Sequence, residues 1–207
     1  MARYHAFGAY WLWACVWIFM SPVALAESYV VICYNWGCNN QTAVSYPDAW
    51  LKKTLAPLRK AKTAEEERAA TAEAVRKFYL HAAEQTPIGA DEPGNDEEIE
   101  VNGRMDCIDH STTTANILNF LQHRKTLRWH QVGPYAHRTL LVASHYSATL
   151  IETDSVDPEG ERIFTIDPWL EAPGDLPPVV SVREWAGPRF YTLETKHHTA
   201  VDQNGRR

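Results

Sequence analysis

Tyr29, Val30, Val31 and Ile32 form an unbroken aromatic and β-branched run, which predicts a short strand leading into the segment CYNWGC. Pro47 and Asp48 then open a helix over about 49–58. From Thr63 to Gln85 the period becomes helical, with Ala69, Ala72, Val75, Tyr79, Ala82 and Ala83 on one stripe. Thr63 and Glu66 carry a capping-box pattern at its start, and the charges between the apolar positions read as a solvated face. Residues 86–104 are rich in Pro, Gly and acids and read as a loop. Ile117, Leu118, Phe120 and Leu121 restore helical spacing and predict a helix from Cys107 to His123. Strands follow as TLLVAS, then HYSATLIETD, a turn at VDPEGE, and RIFTIDPW, before a short helix near Ser181. Helices followed by an antiparallel meander predict an α+β domain.

The ends and the charge narrow the setting. Arg3, an apolar run of about 15 residues and the small-x-small triplet Ala24-Leu25-Ala26 read as a secretory signal peptide over 1–26. An uncleaved anchor is the alternative, but the run falls short of the roughly 20 residues that span a bilayer. One domain is expected over 27–191 and a disordered tail over 192–207, placing the protein outside the cell or in a bacterial periplasm. The whole chain carries a net charge of −6, and the leader holds one Arg and no acid. Without a basic patch, neither nucleic acid nor an anionic membrane surface is an expected partner, and no stable membrane insertion is expected after cleavage.

Of four cysteines, Cys15 lies in the leader, leaving Cys33, Cys38 and Cys107. An odd number in an oxidising compartment leaves a thiol over. Gly37 permits a tight turn that would let Cys33 pair with Cys38, leaving Cys107. Cys107 bonded to Cys33 or Cys38 is a second arrangement, and a zinc site from Cys33, Cys38 and a histidine a third. A calcium site from Asp91, Asp96 and Glu97 lacks the ordered alternation of an EF-hand loop. No cofactor or metal is expected.

A thiol reacts as thiolate, and a helix N-terminus stabilises that anion through its unpaired N–H groups and dipole. Cys107 stands at such a position. Asp106 and Asp109 suit an N-cap and a first turn, but their charge opposes ionisation of the thiol. Activation therefore requires a cationic partner, most naturally a histidinium. His110 lies three residues on, with no evident carboxylate to orient it. His145 opens a strand, and pairing about a turn near 156–159 brings Asp167 to the same end of the neighbouring strand. A carboxylate there can hold the second ring nitrogen. The plainer reading makes Cys107 a small buried hydrophobe, His145 a surface strand residue and Asp167 a turn former before Pro168.

In MDCIDHSTTT, HYSATLIE and TIDPWL, a cysteine opens a helix, a histidine opens a strand and an aspartate closes the next strand. That order resembles the transglutaminase-like branch of the papain-like cysteine peptidase superfamily, across about residues 100–170. The resemblance implies a papain-like core and a Cys107–His145–Asp167 triad performing acyl transfer on a peptide or protein, a peptidoglycan peptide being one candidate substrate. Cys107 would attack an amide or ester carbonyl, with its own backbone N–H as the default oxyanion donor. Trp169, Trp185 and Trp129 are candidates to line a substrate groove. The alternative function is a non-catalytic, disulfide-containing binding or structural module of the cell envelope.

Overall fold

The computed structural model describes residues 28–94, 101–140, 143–153 and 162–196; the expected leader, Asp96, Glu97, the hairpin turn at 154–161 and the end of the tail lie outside these. The first strand, β1 (Ser28–Tyr34), pairs antiparallel with β2 (Asn40–Tyr46). β2 was not expected from NQTAVSY, because only Val44 and Tyr46 are buried among polar neighbours. A single helix was expected over 49–58, but the chain makes α1 (Asp48–Thr54) and α2 (Ala56–Lys60). Pro57 has no N–H to give to Lys53, so the first helix cannot run on.

The long helix α3 (Ala64–Ala83) starts at Thr63, whose hydroxyl accepts from the Glu66 N–H at 3.1 Å. The Glu66 carboxylate reaches the Lys62 N–H at 2.7 Å, one residue before the position a capping box would use. Its core face carries Ala72, Ala74, Val75, Phe78 and Ala82, while Ala69 is exposed. The charges are not all solvated. Glu67 is fully buried and accepts from the N–H groups of Arg128 (2.7 Å) and Trp129 (3.0 Å) and from His130 Nδ1 (2.9 Å). That carboxylate ties α3 to the segment entering the main sheet.

After a 3-10 turn at Pro87–Ala90 comes α4 (Cys107–His123), then β3 (His130–Val132), β4 (Tyr135–Leu140), β5 (Ala143–Glu152), β6 (Ile163–Ile166), β7 (Val179–Ser181), α5 (Val182–Ala186) and β8 (Tyr191–Glu194). The larger sheet is antiparallel with order β7-β6-β5-β4-β8, and β3 pairs with β5 on the same side as β4. Val132 faces Leu150 whereas Ala136 faces Ser147, so the edge slips by one residue at Gly133–Pro134. Such a bulge flips the side-chain alternation, and Val132 and Tyr135 both reach the core. The strand expected from Thr139 therefore begins at Tyr135. The domain also runs past its expected end at 191: Thr192, Leu193 and Glu194 pair with β4, whose other edge would otherwise be open.

The two faces of this sheet carry different helices. Ala148, Leu150 and Ile166 pack with α3 and α4, which also covers β1. Ala136, Ile163 and their neighbours pack with Val182, Trp185 and Ala186 of α5. The architecture is α+β with antiparallel sheets. No helix among the described residues is long and apolar enough to cross a membrane.

Candidate active site

The N-terminus of α4 is built by two acids that bond each other's backbone. Asp106 accepts from the Asp109 N–H at 2.8 Å, and Asp109 from the Asp106 N–H at 3.1 Å, a reciprocal capping box. The same carboxylates receive the Cys33–Cys38 loop, which donates from Trp36 to Asp109 (2.7 Å), from Gly37 to Asp106 (3.0 Å) and from Cys38 to Asp109 (2.6 Å). Asn35, Trp36, Gly37 and Cys38 all have positive φ, a left-handed path that the disulfide Cys33–Cys38 closes. Because the two sulfurs are bonded to each other, they are not zinc ligands. Thr113 Oγ1 accepts from the Cys33 N–H at 2.9 Å, and Asn116 donates to the Val31 carbonyl at 2.9 Å, so α4 also caps the outer edge of β1.

Cys107, the first residue of α4, is outside the disulfide and half-exposed. Its thiol donates to the Ser144 carbonyl at 3.9 Å, the peptide group immediately before His145. Burial and the Asp106 charge push the Asp109 carboxyl up to about 7, against the three N–H groups that favour its ionised form. Below that pH one of the two acids beside the thiol is neutral, which relieves much of their opposition to thiolate formation.

His145 and Asp167 are brought together. His145 Nε2 donates to Asp167 Oδ2 at 2.6 Å, which leaves Nδ1, buried and without a hydrogen-bond partner, as the basic nitrogen. The strands pair two residues out of the assumed register: Ala148 faces Ile166, so Asp167 lies diagonal to His145 and not opposite it. Diagonal neighbours on one face remain within reach of long side chains. Asp167 also accepts the Trp185 indole N–H at 2.7 Å and the Trp169 backbone N–H at 3.3 Å. Burial raises its carboxyl, but the His145 bond and charge and the two further donors together hold it below the usual carboxylate range. The imidazole packs against two indoles, with ring centroids 4.5 Å from Trp169 and 5.5 Å from Trp185.

No family model, curated protein or solved structure matches this chain. The site therefore rests on its own geometry.

The rival histidine has the partner that its sequence neighbourhood did not reveal. His110 Nε2 donates to Asp91 Oδ2 at 2.9 Å, and Asp91 Oδ1 accepts the Met105 N–H at 2.8 Å. Asp91, considered for calcium, is thus spent in holding the approach to α4. The His110 imidazole stacks on Tyr79, whose hydroxyl donates to the His110 carbonyl at 3.0 Å. A cavity of about 30 Å³, room for a water or two, is lined by His110, Asp91, Tyr79 and Met105. Trp129 is remote: its neighbour His130 pairs with Glu152, at the opposite end of β5 from His145. Trp169 packs on the imidazole, and Trp185, considered only as a groove residue, holds Asp167. Arg138, directly opposite His145 on β4, was not singled out from the sequence, where RWHQVGPYAHR has no recognisable motif.

Proposed function

We propose that this protein is an exported, thiol-dependent acyl-transfer enzyme with a transglutaminase-like core, acting on peptide or protein amides through Cys107, His145 and Asp167. The observation that carries this reading is the polarised imidazole: Nε2–H held by Asp167, Nδ1 buried and unengaged, and a helix-mouth thiol one peptide group away. The Cys107 proton passes to His145 Nδ1 as Sγ bonds to the carbonyl carbon. The imidazolium then protonates the leaving nitrogen as the C–N bond breaks, giving a thioester. Water or an amine attacks that thioester while His145 takes the incoming proton, and the thiol is restored. Asp167 keeps the ring oriented and stabilises the imidazolium. The Cys33–Cys38 disulfide, which forms in oxidising compartments, supports an extracytoplasmic setting.

Native protein should alkylate at Cys107 with iodoacetamide near neutral pH, and release about one equivalent of p-nitrophenol in a burst from p-nitrophenyl acetate. His145→Ala should lower the alkylation rate about tenfold or more, since an unassisted thiol with pKa about 8.5 is only a few per cent ionised. If His110→Ala abolishes labelling and His145→Ala leaves it intact, the base has been misassigned. An unreactive thiol with no burst would instead favour the binding-module reading.

A further inference from the structure

Arg138 of β4 is the direct cross-strand partner of His145, so both side chains project from the same face of the sheet. Its guanidinium lies 4.2 Å above the Trp185 ring centroid and donates through Nη1 to the Trp185 carbonyl, the residue that also holds Asp167. Arg138 is half-buried and makes no ion pair with any described carboxylate. Asp167, whose charge acts on Arg138, already accepts from His145, Trp185 and Trp169. On its other side Arg138 pairs with Tyr191, which brings the 187–190 turn and Arg189 alongside. Burial lowers the pKa of Arg138; the pull of Asp167 opposes this, and a smaller repulsion from Arg189 adds to it. Arg189, two residues before the Tyr191 that pairs with Arg138, thus lies near enough for its charge to act on Arg138, and it has no ion pair with a described carboxylate. Beside them Phe190 is 95 % exposed. A desolvated cation held against a like charge gains most from an arriving anion, and a guanidinium matches a carboxylate's two oxygens.

We propose that Arg138 and Arg189 form a carboxylate subsite next to the catalytic centre, so that the acyl donor is a peptide bearing an anionic group close to the bond attacked. This rests on Cys107 and His145 being the reactive pair, and it names the substrate class of that same site.

Iodoacetate and iodoacetamide deliver the same alkyl carbon to Cys107, one with a carboxylate and one without. The ratio of their rate constants at fixed pH reads the subsite, with iodoacetamide as the internal reference in each variant. Arg138→Gln and Arg189→Gln should each lower that ratio by about three- to tenfold relative to wild type, and more at low salt, while Arg138→Lys retains much of it. Arg189 lies in a turn, so its variant carries the test if Arg138→Gln fails to fold. N-acetylalanine and the α-amide of N-acetylaspartate, as competitors, separate a terminal from a side-chain carboxylate by which protects Cys107 in wild type but not in Arg189→Gln. A labelled thiol whose ratio is the same in wild type and both Gln variants overturns the subsite alone. A thiol that iodoacetamide does not reach overturns the catalytic reading with it.

Discussion

The Trp185 indole N–H ends 2.7 Å from the same Asp167 oxygen that His145 occupies at 2.6 Å, so one oxygen serves two donors. Each donor draws on the charge available to the other. Trp185→Phe keeps an aromatic ring at this position and removes the N–H together with one ring of the indole. Asp167 Oδ2 then keeps His145 as its one donor, while Oδ1 keeps the Trp169 N–H. The alkylation rate of Cys107 should fall, because Asp167 has lost one of the bonds that fix it. An unchanged alkylation rate would show that Trp185 is only packing. Residue chemistry of this kind was half legible. A cysteine at a helix mouth, a histidine at a strand start and an aspartate before Pro168 are visible as types in order. Arg138 was not, because its importance comes from facing His145 across β4–β5, a pairing that no local pattern encodes.

The disulfide loop and α4 act as one element. Three loop N–H groups end on Asp106 and Asp109, and Asn35 joins the other flank, accepting from the Gly103 N–H at 2.7 Å and donating to Asn102 at 2.9 Å. Replacing Cys33 and Cys38 together by serine should cost about 2 kcal/mol, the chain-entropy value for so short a closed loop, measured by urea unfolding. Reductant should lower wild type to the same level and leave the double variant unchanged. A released loop would also let water reach Asp109, whose carboxyl would return toward its ordinary range and be charged at pH 6. Alkylation of Cys107 at pH 6 should therefore slow when the disulfide is reduced. An unchanged rate would mean that the loop stays docked without it. At this scale the elements with strong internal signals, α4 above all, were legible to within a residue. β2, β8 and the early start of β4 were not, because their polar residues become strand by completing edges of β1, β4 and β5, a property of the partner.

Across the whole molecule, buried carboxylates decide how stability follows pH, and they pull in opposite directions. Glu67 is pushed up by burial, but its bonds to His130, Arg128 and Trp129 bring its pKa below the ordinary value. Asp167 behaves alike. A group with a depressed folded pKa contributes stability that is present above its unfolded value, about 4.3 for Glu and 3.9 for Asp, and is lost as pH falls through the folded value. Asp109 has the opposite sign. Its folded pKa of about 7 lies well above the ordinary aspartate range, so its contribution is complete below about 4 and fades as pH rises through 7. Stability should therefore be greatest between about pH 4 and 7, falling on the acid side as Glu67 and Asp167 take up protons. Glu67 is the stronger test because it sits at 0 % exposure and joins α3 to the entry of β3, at the opposite end of β5 from the Ser144 carbonyl that Cys107 touches. Glu67→Gln offers one acceptor where three donors converge, and should lose about 3 kcal/mol at pH 7, in the range for breaking a buried charged pair. It should lose progressively less relative to wild type as pH falls below 4, because wild type then surrenders the same interaction. Urea unfolding of both proteins at pH 7, 5 and 3 measures the gap. A gap that stays constant across that range would mean that Glu67 is not ionised in the folded state, and the acid limb would then have to come from Asp167.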